Sequence, residues 1–218
     1  MAKPKLKKLF STILKIVLSL LAVAYVYYKI DEETKNQIVS ALKTANWLWL
    51  LLAFVLFNIS KIISAIRLNR YFKCIGVNLK ELFNLKLYYL GMFYNLFLPG
   101  GIGGDGYKVY YLQKHHNGST KKLIAATLLD RLSGVVVLGF LALILVLISS
   151  IKLLVAGQNF IAIALAVVVF PFFWLLHNRF FKDFNPEFLR ALLMGFGVQL
   201  SQLCAAALIL LAIDAQGL

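Results

Sequence analysis

The stretch Asn95-Leu-Phe-Leu-Pro-Gly-Gly-Ile-Gly-Gly-Asp-Gly-Tyr-Lys108 sets five glycines, a proline and an acid directly behind an apolar, aromatic run. On both sides lie segments apolar and long enough to cross a bilayer, so the irregular backbone falls at or near membrane depth. Lipid offers no partners for free N–H and C=O groups. Such backbone is tolerated there only where protein buries it or where it lines a wet cavity. A simple anchor has no use for this arrangement, whereas a transport site does.

Composition supports the membrane setting. Hydrophobic residues make up 61% of the chain and the mean hydropathy is +0.81, values of an integral membrane protein. Lys and Arg number 23 against 9 Asp and Glu, a formal charge of +14. The bases sit at the ends of apolar runs, where topology and anionic headgroups call for them. No basic, aromatic-interleaved soluble segment remains to grip DNA or RNA, so no nucleic-acid partner is expected. Cys74 and Cys204 form no redox or zinc spacing and are expected to act as small buried hydrophobes.

About 20 apolar residues cross the hydrocarbon core. Phe10–Ile30, Trp47–Ile66, Leu132–Ile151, Phe160–Leu176 and Leu189–Ile213 are the expected spans. Leu82–Leu98 is shorter, carries Asn84, Lys86, Tyr88, Tyr89 and Asn95, and runs into the Pro-Gly stretch. The positive-inside rule tests its path. Lys3, Lys5, Lys7 and Lys8 put the amino terminus in the cytoplasm, and the acidic Asp31-Glu32-Glu33 loop outside. Arg67, Arg70, Lys73 and Lys80 then fall inside. Were Leu82–Leu98 to cross, Lys108, Lys114, Lys121 and Lys122 would lie outside; were it to enter and return, they stay inside, as does the Arg179/Lys182 loop, while the turn near Lys152 goes outside. The expectation is an all-α, polytopic integral membrane protein, one transmembrane domain over residues 1–218, with about five spanning helices and one re-entrant helix ending in a Pro/Gly turn.

Several groups in this frame are candidates for function. Asn84, Tyr88, Gly91 and Asn95 share one helical face. That polar stripe reads either as helix packing or as a pathway. Pro99 stops the preceding helix, and Gly100, Gly101, Gly103, Gly104 and Gly106 permit close backbone approach. A helix restarting near Asp105 presents free N–H groups to an anion, or Asp105 caps that helix itself. Asp130 and Arg131 point about 100° apart on a helix, so each needs its own partner. Arg131 suits a lipid phosphate, or serves as an interfacial anchor. Asn58, Lys61 and Ser64 lead to Arg67, and Gln199 and Gln202 repeat the choice between cavity face and packing. His115-His116 lacks further ligands, so neither a metal nor a cofactor is expected. No nucleophile–base–orienter set exists among His115, His116 and His177, and no enzyme is expected.

Asn95-Leu-Phe-Leu-Pro-Gly-Gly-Ile-Gly-Gly-Asp105, followed by Tyr107-Lys108 and Leu129-Asp130-Arg131-Leu132-Ser133-Gly134, resembles the lysylphosphatidylglycerol synthase transmembrane family, the flippase-type membrane domain of bacterial multiple-peptide-resistance proteins and their stand-alone relatives. Lys108 stands where relatives often carry Arg, and Arg67–Gly76 is similar to the basic loop after the family's second span. The resemblance is strongest over residues 47–147, and the expectation is a stand-alone membrane domain without the aminoacyltransferase domain that fused relatives carry.

It implies a multi-pass protein of the bacterial-type inner membrane that binds or translocates lipids, with anionic headgroups as partners. A non-transporting scaffold or assembly partner is the alternative. The substrate-binding residues it implies are Asn95, Pro99, Gly100, Gly101, Gly103, Gly104, Asp105, Lys108, Asp130, Arg131 and Arg67. Relatives carry further spans with a second glycine-rich element. The expectation is therefore a C-terminally truncated version of the family domain, or a half-unit that needs a second copy or a partner membrane subunit.

Overall fold

The computed structural model describes residues 28–97, 103–116, 118–149 and 157–213, together with Leu21, Ala24 and Tyr25. The expected first span and the turn near Lys152 lie largely or wholly outside them, as do Pro99, Gly100 and Gly101. The described chain is all-α, with no strand among the described residues. In order come α1 (Glu32–Thr44), α2 (Trp47–Cys74), α3 (Glu81–Phe97), α4 (Gly103–His116), α5 (Thr120–Ile148), α6 (Gln158–Phe180), a 3-10 turn at Lys182–Glu187, and α7 (Phe188–Ala212). Four segments among them are long and apolar enough to cross a membrane: Trp47–Cys74, Thr120–Ile148, Gln158–Phe180 and Lys182–Ala212.

Local chemistry sets the ends of these helices. Asn46 caps α2, its Oδ1 accepting the Leu48 N–H at 3.0 Å. At the other end Gly76 adopts φ +82°, a left-handed conformation that suits glycine. Its N–H bonds to Lys73 O, and the Val77 N–H bonds to Phe72 O, the paired contacts of a Schellman stop. The acidic loop predicted after the first span is itself helical. Asp31 caps α1 by accepting the Thr34 N–H at 3.0 Å and the Thr34 hydroxyl at 2.8 Å.

The helices run longer than hydropathy alone predicts. α2 continues past Ile66 to Cys74, and α5 begins at Thr120 rather than Leu132. Hydropathy stops at a charge, whereas a helix continues through one that finds a partner. Arg67, Asp130 and Arg131 therefore lie inside continuous helices instead of at span edges. Pro171 lies within α6, which runs on to Phe180.

α2 and α7 are antiparallel neighbours. The Asn46 N–H bonds to Ala212 O at one end, and Arg70 meets Glu187 at the other. Small buried residues make this close approach feasible: Ala53, Ser60 and Ser64 on α2, and Ala191, Gly195, Ala205 and Ala212 on α7. α3 and α4 fold back on each other as an antiparallel hairpin. Tyr94 stacks on Tyr107, Lys108 lies over Tyr88, and Phe83 reaches Tyr111 and His116.

The tightest core lies where α2 ends, α5 begins and the 3-10 turn crosses. Leu68, Tyr71, Phe72, Val77, Leu112, Leu123, Leu129 and Phe184 are buried there. Lys73–Glu81 (2.7 Å) and Lys122–Asp183 (2.8 Å) ion pairs close the same end. Both outer ends of the α3/α4 hairpin sit at it too. The cysteines depart from expectation. Cys74 is half-buried and Cys204 is exposed on α7, because the α7 positions turned inward are taken by smaller or more tightly packed neighbours such as Ala205 and Val198.

Candidate functional site

Between α2 and α5 a guanidinium is buried with a carboxylate. Arg67, only 4% exposed, donates from Nε to Asp130 Oδ1 at 2.7 Å and from Nη2 to Asp130 O at 3.0 Å. The same carbonyl accepts the Ser133 hydroxyl at 3.0 Å. Two glycines make room for the charge. Added methyl groups would come within 3.7 Å of Nη2 at Gly134 and 3.4 Å of Nη1 at Gly195. Nη1 has no hydrogen-bond partner among the described residues.

One residue on, a second cluster joins α4 to α5. Asp105 accepts Lys108 Nζ at 3.1 Å through Oδ1 and a short hydrogen bond from Arg131 Nε through Oδ2. Lys108 is buried and its ammonium lies 4.3 Å from the centre of the Tyr88 ring, a cation–π contact inside the hairpin. The Arg131 side chain is 43% exposed, so the cluster runs from a buried lysine to a surface guanidinium. Asp130 and Arg131, adjacent in sequence, thus face different helices and take different partners. Together the two clusters hold three bases and two acids.

The hairpin that carries Asp105 is held by contact between backbones. A methyl group on Gly104 would come 1.9 Å from Gly91 O, so the two helices touch where neither has a side chain. Asn95 Oδ1 accepts the Gly104 N–H at 2.7 Å. This bond corrects the expectation that Asp105 caps the restarted helix. α4 begins at Gly103, two residues earlier, so Asp105 falls within its first turn, and Asn95 supplies the capping oxygen from the preceding helix. The first-turn N–H groups are correspondingly less open to an outside anion than a bare helix start is.

The polar stripe of α3 faces protein. Asn84 donates to Ala65 O of α2 at 2.6 Å, Gly91 meets Gly104, Tyr88 lies under Lys108, and Asn95 caps α4. The other polar positions also make packing contacts. Asn58 accepts the Tyr89 hydroxyl, Gln199 donates to Gly134 O, Gln202 donates to Ser60, and the Lys61 ammonium lies over Phe57. His115 and His116 are exposed at the end of α4, and no group of three metal-ligating side chains occurs among the described residues.

Of the residues singled out from sequence, Asn95, Gly103, Gly104, Asp105, Lys108 and Arg131 meet at the hairpin and α5, with Asp130 and Arg67 beside them. In the sequence Tyr88 stands out only as part of a stripe, and Gly195 gives no signal because a lone glycine in an apolar helix has many uses. The cap from Asn95 was hidden for a different reason: it bridges nine positions across a chain reversal.

Apolar helices around two partnered ion clusters define the class, an all-α polytopic membrane protein. Comparison with known proteins narrows it. The profile of the lysylphosphatidylglycerol synthase TM region matches residues 12–216, and the chain belongs to that family. It is 32% identical over 90 residues to a UPF0104 membrane protein of Pyrococcus horikoshii, covering 40% of this chain and 27% of that relative. The matched part is thus about a quarter of the relative's length. No solved structure gives a significant match.

Proposed function

We propose that this protein binds a membrane lipid by its headgroup and moves it between leaflets, with the α3/α4 hairpin as a re-entrant element. The observation that carries the reading is the hairpin itself. At about 1.5 Å per residue, its arms of 17 and 14 residues extend about 26 and 21 Å, short of a hydrocarbon core about 30 Å thick. Both arms return to the end where Arg70, Lys73, Lys122 and Lys182 gather, and this end is cytoplasmic in our reading. The amino terminus is cytoplasmic too, and the setting is a bacterial-type inner membrane. The inner ends of the two arms, at Asn95 and Gly104, then lie within the bilayer, near Asp105, Lys108 and Arg131.

In this reading Arg131, half-exposed and planar, receives an anionic headgroup, while Asp105 and Lys108 hold it in position. Arg67 and Asp130 fix α2 against α5 behind it. No covalent bond is made or broken, so the action is carriage rather than catalysis.

Headgroup transfer in reconstituted vesicles tests the site. Arg131→Ala and Asp105→Ala are expected to slow it severely in protein that remains folded; unchanged rates in both would remove the site. Cysteine labelling at Lys114 tests the path of the hairpin. Reaction only with a reagent confined to the cytoplasmic side is expected, and reaction only from outside would end the re-entrant reading.

A further inference from the structure

A second site lies away from the hairpin, along the seam between α5 and α6. At the basic end a cavity of about 340 Å³ is lined by Lys121, Lys122, Arg179, Lys182 and Asp183, with aromatic walls at Phe180 and Phe181. Four bases face one acid. Asp183 pairs with Lys122 at 2.8 Å, and the Arg179 guanidinium lies 5.6 Å from the centre of the Phe180 ring. Lys121 and Lys182 make no ion pair among the described residues, and both are exposed.

The helix dipole does not account for these lysines. Lys121 and Lys122 occupy the first turn of α5, which carries no acid, and a helix amino terminus disfavours cations. Topological preference asks only for bases near a span. It does not ask that they surround a cavity.

Phe180 and Phe181 also line a second cavity of about 460 Å³, which runs on along the seam with wholly apolar walls. On α5 the lining follows one stripe: Lys121 and Ala125 in the first cavity, then Leu128, Leu132 and Val136 in the second. α6 supplies the other wall from Val169 to Leu176. The groove is open to the surroundings, since Leu128, Leu132, Phe172 and Leu176 are exposed. A basic cup continuous with an apolar trough has the polarity of one phospholipid, charged at the head and hydrocarbon below. Basic pockets between membrane helices commonly hold anionic headgroups.

We infer that the α5/α6 seam is a binding site for an anionic phospholipid, its phosphate among Lys121, Arg179 and Lys182 and an acyl chain along Leu128, Leu132 and Val136. This site is separate from Asp105 and Arg131, and it stands whether or not the hairpin moves lipid.

The test measures retention of phosphatidylglycerol over phosphatidylcholine by the purified full chain in nanodiscs, with melting in phosphatidylcholine alone as the control for folding. Each base at an anionic surface is worth a factor of roughly five. The triple variant Lys121→Gln/Arg179→Gln/Lys182→Gln is therefore expected to lose about a hundredfold in preference. Leu132→Trp, which fills the trough, is expected to weaken retention as well. Asp183→Asn removes the one acid and is expected to raise it, a gain that misfolding does not produce.

Unchanged preference in the triple variant overturns the site, as does no gain from Asp183→Asn. Glycerophosphoglycerol, the headgroup without chains, competing as well as the lipid while Leu132→Trp is silent also overturns it, leaving a simple anion site. Preference lost in Asp105→Asn but retained in the triple variant assigns the lipid to the hairpin and ends this proposal.

Discussion

Asp130 and Arg67 each make the other tolerable, and removing one leaves a charge buried without its counter-ion. Truncating one member of such a pair typically costs about 3–5 kcal/mol. Asp130→Ala is expected to destabilise the protein on that scale, and the double variant Arg67→Met/Asp130→Leu to recover most of the loss. Thermal unfolding in detergent measures both. A double variant no better than the single would show that the pair contributes more than charge cancellation. Gly104→Ala probes the hairpin at the same scale. Its new methyl meets Gly91 O, a backbone atom with nowhere to turn, so the arms must separate. Closer labelling access at Tyr94 and Tyr107 is the expected sign; an unaltered hairpin would sink the backbone-contact account. Residue chemistry was legible in the sequence up to a point. Asp130 and Arg131 announce a need for partners because neither is comfortable alone in an apolar helix. Which partner each takes depends on helix rotation and register, and no pattern in the sequence prints those.

Helices were legible by their apolar runs, and their ends by caps, but charged segments misled. α5 starts well before its aliphatic stretch because Asp130 is paired across to α2, so the apparent boundary at Leu132 was only a change in hydropathy. α1 is the converse case. Its mixed polarity reads as a loop, yet Asp31 provides the start that an amphipathic helix needs. The Thr34 N–H, followed by the Thr34 hydroxyl, holds the Asp31 carboxyl below its ordinary value of 3.8. The sign follows directly. A depressed carboxyl supports the helix fully above its unfolded value and loses that support as pH falls through the folded one. α1 is therefore expected to fray in acid, below about pH 4, with the Thr34 amide losing protection relative to its intrinsic exchange rate at each pH. Asp31→Ala is expected to show that loss already at neutral pH. Equal exchange in variant and wild type would remove the cap from the account of α1.

Over the whole molecule, charge is arranged more economically than the formal +14 indicates. Most bases of the described residues lie at one end, and those of the two clusters are held against acids. Arg67 and Asp130 cancel; Lys108 and Arg131 against Asp105 leave a single positive charge. That remainder has an electrical consequence for the proposed transport. A headgroup with one negative charge, seated beside Arg131, brings the site to neutrality. An empty site still carries its charge, which across a full bilayer is worth about 2.3 kcal/mol per 100 mV. Voltage then acts on the returning carrier and not on the loaded one. In proteoliposomes with an imposed potential, single-turnover lipid transfer is expected to be flat with voltage while steady-state turnover varies. A single-turnover rate that follows the potential would show that charge at the site is not balanced by its cargo. With its cargo seated the cluster of Asp105, Lys108 and Arg131 is electrically silent, and the membrane potential reads only a site that has yet to load.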